Sequence, residues 1–224
     1  MQNVVNSDTP VSQIQHQFNY CPCSYIDESW VSEKQPWLLQ LQGWREQATI
    51  NQWCIEEWQL SSITDHVFNH PFNSLALLPA EATNRLLLMI GGAMYCESMR
   101  QVVLKQPKQC LNHVFGVDET RFLIQQGPMM ISNWPSGWQK SLPPTLDEAS
   151  FEKTARELGY LWIRFLLAKS PSELVQRWQF KLERLLTQTT LNADWLDETH
   201  RDLAYRLIKK IAKQVIPQWF HLLK

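Results

Sequence analysis

The sequence predicts an all-α protein, an irregular multi-helix bundle with a less regular N-terminal segment. Three observations carry that expectation. Apolar residues recur at three- and four-residue spacing over much of the chain from Pro36 onward, the period of one helix face. Residues that favour a helix start, Pro36, Pro79 and Ser172, precede those runs. Alternation at every second residue is scarce, with Met129-Met130-Ile131 the one modest strand candidate.

Residues 1–35 are polar and irregular, contain Tyr20-Cys21-Pro22-Cys23-Ser24-Tyr25, and read as an extended arm. A first helix is expected to open at Pro36, with Trp37, Leu41, Trp44 and Ala48 on one face. A second, shorter one carries Ile50, Trp53, Cys54 and Trp58, with Glu56 and Glu57 partly opposed. The central block begins at Pro79; Glu81 meets the positive helix end, and Leu86, Leu87, Ile90 and Met94 form a broad apolar surface. Gly91-Gly92 costs a helix about 1 kcal/mol per residue relative to Ala. Either a break between two helices or close helix packing must compensate. Gln106-Pro107 is a predicted stop, and residues 109–115 form a short helix ending at Gly116. Asp118 then caps a helix carrying Phe122, Leu123 and Ile124.

Gly127-Pro128, Trp134-Pro135-Ser136-Gly137-Trp138 and Pro143-Pro144 make residues 127–147 a loop. The helical pattern then strengthens: Ala155, Leu158, Trp162, Phe165 and Leu166; next Leu174, Trp178, Leu182, Leu185 and Leu186; last Leu203, Leu207, Ile211 and Val215, with a kink at Pro217 before Trp219 and Phe220. Three blocks result: an arm at 1–35, N-terminal and central helices with the Trp-bearing loop at 36–147, and C-terminal helices at 151–224. The last block is expected to pack with the central one as one globular unit.

A composition of 44% hydrophobic and 19% charged residues is that of a globular chain rather than a disordered one. A net charge of -1 gives no reason to expect nucleic acid. Residues 1–78 nonetheless carry eight acidic groups against only Lys34 and Arg45, so the remainder is basic. That split suits an acidic front folded on a basic body, or two surfaces with different partners. Five cysteines fit a reduced compartment better than a disulfide framework. The N-terminus has no basic start followed by an apolar run, and residues 86–94 fall short of the roughly 20 needed to cross a bilayer. A soluble cytosolic protein is expected.

Catalytic patterns are weak. His66 and His70 would share a helix face, but Val67 stands where a zinc-protease motif needs Glu, so surface or capping histidines are expected. Cys21 and Cys23 are one residue too close for the redox motif and have no matching pair; Cys96 and Cys110 read as core thiols. Neither a Gly-x-Ser-x-Gly elbow nor a phosphate-binding glycine loop occurs. We expect no enzyme, no catalytic residue, no cofactor and no metal. Arg201, Arg206, Lys209, Lys210 and Lys213 interleave with apolar positions and read as a solvated helix face. Among eleven tryptophans, Trp162 and Trp178 fit core stripes. Trp134 and Trp138, in the loop, are either interface anchors or a lid over the core. Trp37 and Trp44, on an acidic segment, either pack on the body or anchor a partner. These four are the candidate partner-binding residues.

The order and spacing of several pieces resemble the SctK (OrgA/MxiK) family of type III secretion accessory proteins. The pieces are Leu78-Pro79, then Arg85-Leu86-Leu87-Leu88-Met89-Ile90-Gly91, Met99-Arg100-Gln101-Val102-Val103, and Phe115-Gly116 with the residues 120–123. Lys181-Leu182-Glu183 and the closing Lys209-Lys210-Ile211 through Pro217-Gln218-Trp219 complete the set, which covers residues 70–224 in patches. The resemblance implies a non-enzymatic adaptor in the cytoplasmic sorting platform of an injectisome. It would bridge the cytoplasmic domain of the inner-membrane ring protein SctD to the pod protein SctQ, and through SctQ reach the stator SctL and the ATPase SctN. Such a protein is cytoplasmic and held at the inner face of the inner membrane by partners, without inserting in the membrane itself. Arg85 and the glycine pair are expected to organise its core. The alternative is a helical chaperone gripping a secreted substrate through the acidic, Trp-rich front.

Overall fold

Runs of three- and four-spaced apolar residues fold as eleven α-helices among the described residues, 9–223, of this computed structural model. In chain order they are α1 (Val11–Tyr20), α2 (Glu28–Lys34), α3 (Ala48–Glu57), α4 (Ala80–Met94), α5 (Cys96–Arg100), α6 (Lys105–Phe115), α7 (Val117–Gln126), α8 (Glu148–Leu167), α9 (Ser172–Phe180), α10 (Arg184–Thr187) and α11 (Arg201–Val215). Short 3-10 turns join several of them, and no strand occurs among the described residues. The all-α expectation holds, and Met129-Met130-Ile131 is a 3-10 turn and bend rather than a strand.

The chain divides into two compact units, each assembled from separated stretches of sequence. One takes the described residues up to Thr83, Leu167–Thr189, and the end of the described chain from Gln218; the other takes Asn84–Leu166 and Thr190–Pro217. The C-terminal helices are thus shared out, α9 and α10 to the first unit and α11 to the second.

In the first unit the expected extended arm is helical from Val11 to Tyr20 and from Glu28 to Lys34; residues 1–8 lie outside the described chain. Ile14 and Phe18, one turn apart, supply the buried face of α1. Val11, Ile14 and Phe18 do fall at three- and four-residue spacing, but over only two turns and with Val11 exposed, so tertiary burial of Ile14 and Phe18 supplies most of the helix's stability. Asp27 caps α2, its side chain accepting from the Ser29 backbone N–H, while the Asp27 N–H donates to the Phe180 carbonyl at 2.7 Å. Cys23, Ile26, Val31, Leu38, Trp44, Ile50, Cys54, Leu60 and Phe180 form one core cluster.

The helix expected from Pro36 through Ala48 is interrupted. A 3-10 turn at Pro36–Gln40 gives way to Gly43 at φ +68°, a left-handed conformation that ends regular helix, and a second turn at Trp44–Glu46 follows. Trp37 and Trp44 therefore do not share a face: Trp37 is 53% exposed and Trp44 only 6%. The shorter helix expected next is α3.

In the second unit the glycine pair does not break its helix. Gly91 and Gly92 sit inside α4, and the compensation is close packing. A methyl group on Gly91 would overlap the Ala155 carbonyl oxygen of α8, and one on Gly159 of α8 would overlap the Leu87 carbonyl oxygen of α4. A methyl on Gly92 would come within 2.7 Å of the Phe115 ring. Pro107, the expected stop, is the third residue of α6, where the missing N–H has no helical acceptor to lose. Gly116, at φ +98°, separates α6 from α7 and lets Thr120 Oγ1 donate to the Leu111 carbonyl at 3.1 Å. Asp118 falls in the first turn of α7 rather than at its cap.

Gly91→Ala and Gly159→Ala should each destabilise the protein by roughly 3 kcal/mol, although Ala is the better helix former. Urea unfolding of the two variants beside the unsubstituted chain measures this. An unchanged midpoint would mean that α4 and α8 do not approach to backbone contact.

Candidate interaction surfaces

Trp37 and Trp134 are the members of the candidate quartet with surface to offer. In the first unit, exposed Trp37 is steadied by an indole N–H donated to Gln35 Oε1 at 2.5 Å. Trp44 is in the core cluster, and the Arg45 guanidinium lies 4.4 Å from its ring centroid while donating to the Cys23 and Ile26 carbonyls at 2.9 and 2.8 Å. In the second unit, Trp138 is 0% exposed, its ring 4.3 Å from that of Trp162 in an edge-on contact, its N–H donated to the Trp195 carbonyl at 3.1 Å. Of its two readings, Trp138 adopts the lid over the core. Trp134 packs edge-on against Trp138 at 6.5 Å and remains half-exposed.

A cleft of about 800 Å³ opens beside this aromatic stack. Tyr95, Leu158, Leu191 and Trp195 give it apolar walls, and Lys140 places its ammonium 5.2 Å from the Trp195 ring centroid. Sequence reading missed Trp195; the turn-forming Asn192, Asp194 and Asp197 around it were the available signal. Asp197 and His200 also line the cleft. Asp197 Oδ1 accepts from the Thr199 N–H at 2.7 Å and its hydroxyl at 2.8 Å, which holds that carboxyl below its ordinary range. His200 Nδ1 faces the same hydroxyl at 3.3 Å.

The other candidates for chemistry are spread out. His66 lies in a 3-10 turn, Asp65–Asn69, and His70 just past it; at three residues per turn, i and i+4 do not share a face. Both are exposed, and His70 Nδ1 accepts from the Phe72 N–H at 3.4 Å. Among the described residues no group of three or more His, Cys, Asp or Glu is placed to hold a metal. Cys23 turns away from Cys21 and puts its sulfur 3.3 Å from that of Cys54. The hydrogen bond between them, with burial, pushes the Cys54 thiol up, and burial raises Cys21 too. Cys96 and Cys110 are buried. Of the basic string on α11, Arg201 is buried and pairs with Glu198 at 2.9 Å, and Lys210 donates to the Met130 carbonyl at 2.6 Å. Arg206 and Lys213 are exposed. Arg85, expected in the core, is half-exposed and pairs with Glu119.

Two buried cations of α9 and its C-cap were not foreseen. Arg177 is 0% exposed and donates to the Asn19 and Leu60 carbonyls, each at 3.3 Å. Lys181, 4% exposed, donates to the Ala76 and Leu78 carbonyls, each at 2.7 Å, with its ammonium 4.6 Å from the Phe18 ring centroid. Their spacing from Leu174, three and seven residues on, puts them on the buried stripe, and that was the readable sign.

The family model described as YOP proteins translocation protein K (YscK) matches residues 13–224. The Yop proteins translocation protein K of Yersinia enterocolitica is 31% identical over 210 residues, covering 93% of this chain and 96% of its own. Its counterpart from Yersinia pseudotuberculosis serotype I has the same identity and coverage. Among solved structures, the cytoplasmic domain of the T3SS sorting platform protein PscK from P. aeruginosa matches with a TM-score of 0.65 at 26% identity, over 92% of this chain and 97% of that one.

Lys181 makes a pH signature. Burial pushes its amine down to about 7 from an ordinary 10.5. Between those values the unfolded chain binds the proton and the folded chain does not, so stability should rise with pH across that window. Below about pH 7 the ammonium is charged in both states and the full cost of burying it is present. Lys181→Met should remove this rise, whatever it does to absolute stability. Urea unfolding at several values between pH 6.5 and 9.5 tests this, and parallel pH curves for the two proteins would contradict it.

Proposed function

The chain belongs to the YscK family of type III secretion proteins, the SctK family, and on that footing we propose that it is a non-enzymatic adaptor of the injectisome sorting platform. It bridges the cytoplasmic domain of SctD to SctQ, and through SctQ connects to SctL and SctN. It works in the cytoplasm, brought to the inner face of the inner membrane by these partners; among the described residues no helix is long and apolar enough to cross a membrane. The observation that carries the reading is the end-to-end match: residues 13–224 fit the family model, and the Yersinia proteins align over nearly their whole length.

The geometry adds support. Trp37 and Trp134 are aromatic side chains on different compact units, each steadied by its own hydrogen bond, which suits a protein with two docking surfaces. The chaperone alternative needs an exposed Trp-rich front. Trp44 is buried there, and Trp30, Trp53 and Trp58 are packed against the core, which favours the adaptor.

The full chain, mixed with the purified SctD cytoplasmic domain and SctQ, should form a ternary complex on gel filtration. Trp134→Ala and Trp37→Ala should leave the fold intact and weaken the contact with a partner by roughly 30-fold, the scale of an anchor residue. A chain that binds neither protein would defeat the adaptor reading. Unchanged affinities in both variants would place the docking surfaces elsewhere.

A further inference from the structure

Val103 and Leu104 are consecutive residues at the turn between α5 and α6, exposed to 82% and 71%. The chain leaves α5 through a Val102 N–H donated to the Met99 carbonyl at 3.2 Å, and the turn carries the two aliphatic side chains outward. A connecting segment is ordinarily polar, so two neighbouring aliphatic residues this bare are out of place on a solvated surface.

Their surroundings are cationic. Lys105 follows at once, Lys108 stands one turn further along α6, and both are exposed. Arg100 precedes them at the end of α5, in a half-exposed pair with Glu97 at 3.3 Å. Between Glu97 and Asp118 the sequence contains no carboxylate, and Glu148, which reaches α6 from α8, meets it at His113, further along the helix from the turn. A further exposed apolar residue, Met129 at 74%, lies two residues beyond Gly127, whose α-carbon packs against Cys96 at the start of α5.

We propose that this turn is a contact site for an anionic lipid surface, in which Val103 and Leu104 enter between headgroups while Lys105 and Lys108 meet phosphates. Charge complementarity selects an anionic occupant. The kind of side chain selects lipid over protein. Protein interfaces are anchored by Trp, Tyr and Arg seated in pockets, with Val and Leu under-represented. Here the aliphatic pair sits on a turn without an aromatic anchor between Arg100 and Lys108; the one guanidinium, Arg100, is paired with Glu97, and the other cations are the flexible lysines Lys105 and Lys108. Lysine stems can lie along acyl chains while their ammoniums stay at headgroup level. One such turn is a single weak signal, so binding is salt-sensitive and serves to orient a protein already held by others.

Flotation of the full chain with vesicles tests the proposal. Vesicles of phosphatidylglycerol and phosphatidylcholine at low salt should carry at least about five-fold more protein than pure phosphatidylcholine, and high salt should erase the difference. Val103→Ser/Leu104→Ser, which keeps every charge, and Lys105→Gln/Lys108→Gln, which keeps the aliphatics, should each abolish the excess without moving the unfolding midpoint. No excess on anionic vesicles, or an excess that survives both double variants, overturns the proposal. So does a result in which these variants lose SctD or SctQ while vesicles never bound, since the turn would then be a protein contact. Ternary-complex formation by the unsubstituted chain is read separately, so failure here leaves the adaptor reading standing.

Discussion

Two backbone carbonyls, each facing a glycine on the opposite helix, set the distance between α4 and α8, and the second unit is built outward from that distance. Because neither Gly91 nor Gly159 has a side chain, the helices meet at backbone contact, with no room for even a methyl group between them. That approach brings the Trp162 indole N–H to 3.1 Å from Met94 Sδ. Trp162 in turn supports Trp138 and Trp195, and the cleft beside them is lined by residues that these rings position. Helix propensity argued against two adjacent glycines in a helix, and interhelical contact outweighs it. The loss is about 1 kcal/mol per glycine, whereas a buried Leu-sized side chain contributes about 2 kcal/mol, and the close approach buries several.

The first unit solves a different problem. Its helices are short and its turns numerous, so several carbonyls at helix ends have no partner within their own element. Arg177 and Lys181 satisfy four of them: Asn19 at the end of α1, Leu60 beyond α3, and Ala76 and Leu78 at the turn preceding α4. A guanidinium and an ammonium reach separated chain segments that a backbone N–H cannot. The cost of their burial is visible in the lowered affinity of both groups for protons. An apolar residue in either place would take these donors from the Asn19, Leu60 and Ala76 carbonyls, about 1–3 kcal/mol each, whereas the Leu78 carbonyl would keep the Thr83 hydroxyl at 3.3 Å. Retaining buried cations is therefore consistent with the irregular path of this segment.

The sequence was most legible where pattern and burial agree. The stripes of α4, α8 and α11, the loop after α7 and the helical hairpin at Gly116 could all be read from spacing and from glycine or proline. It was least legible where the buried face is made of few or unexpected residues. Val11, Ile14 and Phe18 mark α1 with helical spacing over only two turns of a polar run, and no periodicity marks Gly43 as a left-handed break that sends Trp37 and Trp44 to opposite environments. Pro107 misled because a proline before a helical run and one in its first turn look alike in one dimension. The division into units was invisible for a simpler reason. It joins segments more than eighty residues apart, and only tertiary contacts record it.

For the four tryptophans proposed as anchors, position along the chain did not separate the exposed from the buried. All four stand near Pro or Gly, where exposure is the ordinary expectation, yet Trp44 and Trp138 are enclosed. What separates them is where the indole N–H and ring find partners. Trp138 donates to a carbonyl fifty-seven residues away and lies among other rings, whereas Trp37 and Trp134 donate to residues two and six positions off. A locally tethered indole keeps its ring face for something else. Trp134 also rests on Trp138, itself immobilised in the core, so it is presented with little rotamer freedom left to lose on docking. In the adaptor reading the buried tryptophan is thus not a failed anchor but the support that gives the exposed one its rigidity.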